Sequence, residues 1–150
     1  MRFLQALACI CLTVTTVLAG TAQAGTDLVT KPSQYSVPET IDRIERAVTA
    51  KGMKIFVRID HSGEAKKVGL AMRPTQLLIF GNPKGGTAFM VAKPTAAIDL
   101  PMKALAWEDE DGKVWLTYNS PELLHARHGV PGEFTSKLDA VGKLLEATVE

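Results

Sequence analysis

The sequence predicts an α+β fold: one domain carrying about five strands, in a mainly antiparallel or mixed sheet, together with several helices. Three observations carry this expectation. Residues 54–61 alternate in polarity with the period of a strand. The stretches 102–108 and 113–119 are rich in strand formers and are joined by Asp109-Glu110-Asp111-Gly112, the composition of a hairpin turn. Around them stand apolar stripes at helical spacing, Ile41, Ile44 and Val48 in one and Phe134, Leu138, Val141 and Leu145 in the other.

At the N-terminus, Met1-Arg2, the apolar stretch 3–18 and Ala22-Gln23-Ala24 read as an export signal. Residues 1–24 are therefore expected to be a signal peptide and residues 25–150 the domain, with a periplasmic or secreted location. The apolar run is short for a spanning helix and ends in small residues, so no membrane span is expected after cleavage. Both cysteines, Cys9 and Cys11, fall inside this signal, which leaves no disulfide, thiolate metal site or cysteine nucleophile to expect in the domain. Setting Arg2 aside, the 17 Lys and Arg become 16, equal to the 16 Asp and Glu. Such a balance gives no reason to expect nucleic acid or an anionic membrane as a partner.

Within the domain, residues 28–36 read as a strand that Pro32 confines to a sheet edge. A helix follows, with Pro38 and Glu39 in its first turn and Gly52 at its end. Its i,i+4 pairs Glu39 with Arg43 and Asp42 with Arg46 mark a solvated face. In the strand at 54–61, Ile55, Val57, Ile59 and His61 fall on one face by simple alternation, and Phe56, Arg58 and Asp60 on the other. Residues 62–70 predict a short helix or turn stopped by Gly69, residues 121–128 a helix stopped by Gly129, and residues 134–150 a last amphipathic helix.

The stretch 73–87 is expected to organise the rest. Leu77-Leu78-Ile79-Phe80 is an unbroken apolar run, as in a strand covered on both faces, and Gly81-Asn82-Pro83-Lys84-Gly85-Gly86-Thr87 must turn sharply after it. Thr87 is expected to N-cap the apolar segment 88–91, gathering backbone N–H groups near Asn82 and Lys84 for a small polar or anionic ligand. The alternative is a tight glycine-rich turn that lets the chain approach closely. It is not a Walker loop, because the lysine precedes the glycine pair.

Several phrases together are familiar. They are Phe56-Val57-Arg58-Ile59-Asp60-His61, Gly69-Leu70, residues 73–84 ending in Phe80-Gly81-Asn82-Pro83-Lys84, Asp99-Leu100-Pro101 with the strand after it, Trp107-Glu108-Asp109, Trp115, Tyr118-Asn119 and Arg127-His128-Gly129. In this order they resemble the bacterial and archaeal family of unknown function number 302, over residues 28–130. The resemblance implies a compact α+β fold, a sheet with helices packed against it, and a homodimer. It implies no activity, and the export signal and the last helix are departures from it.

The chemical candidates are few. Asp60 and His61 adjoin at a predicted strand end, where His61 could act as a base oriented by Asp60; the simpler reading has Asp60 pair with Arg58 or cap the next helix with Ser62. His128 stands beside Gly129, where a histidine can answer the helix dipole. His125 and His128 share a helix face at a spacing that could bind a transition metal with one more ligand such as His61 or Asp60, but such a pair is common by chance and no metal or other cofactor is expected. Met53, Met72, Met90 and Met102 are scattered and read as core filling. No nucleophile elbow and no zinc-protease motif is present. The first functional reading is an exported binding or interaction module, dimeric, whose ligand site joins Asp60, His61, Asn82, Lys84, Thr87 and His128. The second is a hydrolase-like or isomerase-like enzyme using His61 and Asp60. Intact-mass measurement of the exported protein should give a chain starting at Gly25; a mass that retains residues 1–24 would refute the cleavage.

Overall fold

The computed structural model describes residues 27–129 and 131–150. The expected signal peptide and its cleavage site lie outside the described residues. Strand β1 (Leu28–Ser33) leads to α1 (Val37–Ala50), β2 (Lys54–Asp60), the short α2 (His61–Lys67), β3 (Thr75–Gly81) and α3 (Pro83–Ala92). A 3₁₀ turn at Pro94–Ile98 connects to the hairpin β4 (Met102–Glu108) and β5 (Val114–Asn119), and α4 (Pro121–His128) and α5 (Gly132–Ala147) complete the chain. The strands form one sheet in the order β1-β5-β4-β3-β2, antiparallel at every pairing. The expected α+β domain with an antiparallel sheet is thus what the chain forms.

Pro32 lies on the edge strand β1, opposite Trp115, where a missing N–H is tolerated. That strand stops at Ser33, short of the predicted Ser36, because Ser36 caps α1 by accepting the Glu39 amide. At the other edge, the pairing of β2 with β3 shifts between Ile55 and Val57, a β-bulge at Phe56. This corrects the simple alternation. Ile55 opposes Phe80 on the helix-covered face, whereas Val57 and Ile59 oppose Ile79 and Leu77 on the other face. Arg58 moves to the covered face, where it bonds Asp42 of α1 and Gln76. Asp42 therefore pairs with Arg58 rather than with Arg46, which meets Glu39 at 3.3 Å instead.

Helices α1 and α5 cover one face of the sheet. Ile41, Ile44 and Val48 meet Leu78, Phe80, Ala106 and Leu116 there, all fully buried. Tyr118 donates to Glu146 of α5 at 2.8 Å, and burial together with that carboxylate holds its phenol above the ordinary range. Gly142 lets α5 approach so closely that an added Cβ would stand 3.0 Å from the Tyr118 oxygen. On the opposite face Leu77, Ile79, Leu105, Trp107 and Trp115 stay half-buried. A second, smaller core joins Phe89 of α3, Ala96 of the 3₁₀ turn and Leu124 of α4, with Phe134 and Leu138 against it. Leu78 is fully buried in the larger core, so Leu78→Ala should lower stability by about 2–5 kcal/mol. Chemical denaturation checks this, and an unchanged midpoint would contradict the packing.

Candidate functional site

The turn from β3 into α3 was expected to be a loop capped by Thr87, and it is a helix start instead. The Asn82 side-chain Oδ1 accepts the amides of Lys84 at 3.0 Å and Gly85 at 3.3 Å, and Pro83 supplies the first helical position. The Gly86 amide donates to the Asn82 carbonyl at 2.8 Å. Cap and proline together outweigh the helix-weakening Gly85 and Gly86, and Phe89 anchors α3 by burial. The amides expected to hold an anion are therefore already engaged. Lys84 and Thr87 are exposed along α3, and no cradle forms around them.

The antiparallel pairing also corrects the predicted cluster. Lys54 opposes Gly81 and Asp60 opposes Gln76, so Asn82 lies at one end of the β2–β3 ladder and Asp60 with His61 at the other. Asp60 Oδ1 accepts the Ser62 hydroxyl at 2.6 Å and the Gly63 amide at 2.9 Å, capping α2. Those hydrogen bonds, the Ser62 hydroxyl first, hold its carboxyl below the ordinary value. Among the described residues Asp60 and His61 form no hydrogen bond with each other, and the base-and-orienter pair is not assembled.

His128 belongs to a different group. Its Nε2 lies 2.7 Å from Asp99 Oδ2 and its Nδ1 lies 3.0 Å from the Thr95 hydroxyl. Arg127 Nη1 donates to both Asp99 oxygens, at 2.9 and 3.1 Å. The His128 side chain is 3% exposed and that of Asp99 9%. Burial pushes the Asp99 carboxyl up, but the hydrogen bonds and charges of His128 and Arg127 outweigh it and hold the group below its ordinary range. The network ties α4 to the 3₁₀ turn and occupies both nitrogens of His128, so His125 and His128 do not converge on a metal. Asp99 stood inside the recognised Asp99-Leu100-Pro101 phrase, and only its partners across the fold reveal its part.

The feature that can hold a ligand is a cavity of about 330 Å³ where the two cores fail to meet. Met53 and Phe56 line it from the β2 edge, and Gly81, Phe89 and Met90 from the end of β3 and from α3. Leu100 and Met102 line it from the start of β4, and Phe134, Leu138 and Val141 from α5. Phe89 and Phe134 meet edge to face at 5.0 Å and close one wall. Gly85 and Gly86 leave open space on their side, since an added Cβ would meet nothing within 4 Å. Three of the methionines read as scattered thus line the same cavity. Tertiary packing brings them together from three separate elements, which no local sequence signal announces. Asn82 borders the cavity, whereas Asp60, His61, Lys84, Thr87 and His128 do not.

Fold and cavity together define a small two-layer α+β module with room for one small molecule. The chain belongs to the family described as Domain of unknown function DUF302, which it matches over residues 29–150. A crystal structure of an uncharacterized conserved DUF302 protein from Bacillus stearothermophilus superposes with a TM-score of 0.69 at 17% identity. That superposition covers 83% of this chain and 97% of the other and shows a shared fold. Curated relatives named as fluoride-specific ion channels, from Brucella suis biovar 1 and Brucella abortus biovar 1, are each 52% identical over 103 residues. The match takes in 69% of this chain but only 41% and 38% of those proteins. Among the described residues, no helix is long and apolar enough to cross a membrane.

Folding favours the ionised form of Asp99, so its stabilisation is complete above its ordinary value of 3.8 and is lost as pH falls through the lower folded value. Asp99→Asn should therefore cost stability at pH 7, and the difference from the parent protein should shrink below about pH 4. Urea midpoints of both proteins across this range check it; a difference that stays constant with pH would contradict the assignment.

Proposed function

We propose that this protein is an exported, homodimeric binding module that takes a small apolar molecule into the cavity between α3 and α5. The observation that carries the reading is the cavity itself. Its volume, about 330 Å³, falls at the lower end of the ~300–1,000 Å³ typical of ligand sites. Its wall is aromatic and methionine-rich, a lining that adapts to the shape of an apolar guest. The expectation of a small polar or anionic ligand held at Asn82 is revised, because Asn82 spends its acceptor on α3 and the cavity wall, apart from Lys51 and Lys137, is largely apolar. The signal-like pattern of residues 1–24 supports the exported location, and the open sheet face supports the dimer. That face exposes Val57 at 42% and presents half-buried Leu105, Trp107 and Trp115, as a surface does when a second copy is its natural cover. The name carried by the Brucella relatives describes longer proteins, of which the match takes in only 41% and 38%.

Titration with the neutral fluorescent probe N-phenyl-1-naphthylamine should show one site per chain. Met90→Trp, which places a larger side chain in the wall, should weaken that binding by about tenfold or more while the thermal melt stays cooperative. Probe binding that is absent, or unchanged by Met90→Trp, would overturn the binding reading. Sedimentation giving a monomer at micromolar concentration would remove the dimer from it.

A further inference from the structure

We propose that the occupant of the cavity is an amphipathic anion, an apolar body ending in one carboxylate-like head that meets Lys51 and Lys137. The inference rests on the binding reading above and deepens it. Lys51 and Lys137 are the charged residues of the cavity wall, and no Asp or Glu stands in that wall to neutralise them. Each of Arg43, Arg46, Arg58, Arg73 and Arg127 lies within 4.0 Å of a carboxylate, as do Lys31 and Lys67. Among the described residues, Lys51 and Lys137 form no ion pair, as is true of most lysines here, and what sets these two apart is their place in the cavity wall. The Lys137 ammonium sits 5.0 Å from the centre of the Phe134 ring, which brings a cation beside the aromatic wall.

The distribution of polarity fixes how such a molecule lies. Both lysines are exposed, so an anionic head placed against them keeps much of its hydration and escapes the cost of full burial. The apolar body then runs inward between Phe89, Phe134 and the three methionines Met53, Met90 and Met102. A ligand with a second charge at its far end would have to bury it against these side chains, where no partner waits. The head group is thus single and terminal. Unbranched methionines suit an unbranched chain, because both fill irregular space by rotation about single bonds.

Dodecanoate and dodecanol share one apolar body and differ in the head, so together they isolate the charge. By displacement of the neutral probe from the full mature chain, dodecanoate should bind about fivefold or more tightly than dodecanol at low salt, the scale of two exposed ion pairs. Added salt should reduce that preference. The variant Lys51→Met/Lys137→Met keeps the apolar stems, and it should bind dodecanol as before while losing the preference for dodecanoate. Across the series from octanoate, affinity should rise about fourfold per added methylene until the cavity is full, then level off. Equal binding of the two twelve-carbon ligands, or a preference that survives in the double variant, would overturn the anionic head and leave the apolar site standing. Loss of dodecanol and probe binding together would instead overturn the site and this inference with it.

Discussion

Asn82 accepts two backbone amides at the point where β3 ends, and the direction this gives α3 decides how the interior is divided. A helix started there carries Phe89 away from the sheet and into the small core with Ala96 and Leu124. The large core under α1 fills separately around Ile41, Leu78 and Phe80. Between the two, the side chains of α5 must serve both sides at once. Leu145 is buried in the large core, whereas Phe134 and Leu138 pack on the small one. Space is left where neither core reaches, and Gly85 and Gly86 put no side chains into it. The cavity is therefore a consequence of the cap and of the glycines beside it, and the same phrase that shapes the chain locally places the site.

A buried hydrogen-bonded polar pair seldom adds much to stability once desolvation is counted, and it matters more for which arrangement it selects. The Asp99 and His128 pair fits that role. Asp99 follows the 3₁₀ turn and His128 ends α4, two segments that otherwise meet through the small core. With Arg127 on the carboxylate and Thr95 on the imidazole, every strong polar group in the cluster has a partner. Leu100, next in the chain, is part of the cavity wall. Fixing Asp99 thus fixes one side of the site without placing a charge inside it. Thr95 stands apart from the cavity, so its hydrogen-bonded chain to Asp99 positions structure and meets no bound molecule.

Much of the fold was legible because its signals are local. The hairpin at Asp109-Glu110-Asp111-Gly112, the edge strand marked by Pro32 and the two long amphipathic helices each depend on neighbours in sequence. The site was less so, because its geometry depends on strand direction. Asp60 and Asn82 both follow apolar strands, and either a parallel or an antiparallel pairing satisfies the same pattern of side chains. Parallel pairing would have brought them together, whereas antiparallel pairing separates them by the length of the ladder. The cap was misplaced for a related reason. Asn82 and Thr87 are both competent caps, and a helix bearing two glycines is disfavoured by propensity alone, so it takes Pro83 at the first helical position together with the burial of Phe89 to decide between them. Met53, Met90 and Met102 gave no signal at all, since their meeting is purely tertiary.

The bulge at Phe56 joins the two surfaces that the proposed function needs. Without it, strict alternation would keep Val57 and Ile59 on the side of Ile55, beneath the helices. One extra residue reverses every position after it. Arg58 is brought to the helix side, where Asp42 and Gln76 satisfy its guanidinium, and Val57 and Ile59 are sent to the open face beside Ile79 and Leu77. The open face thereby gains apolar area continuous with Leu105 and Trp107 on the neighbouring strand. Phe56 itself, the residue left over, turns toward Gly81 and lines the cavity, where a Cβ on Gly81 would stand 3.9 Å from its ring. One irregularity in an edge strand thus brings Phe56 to the cavity wall and extends the apolar area of the open face.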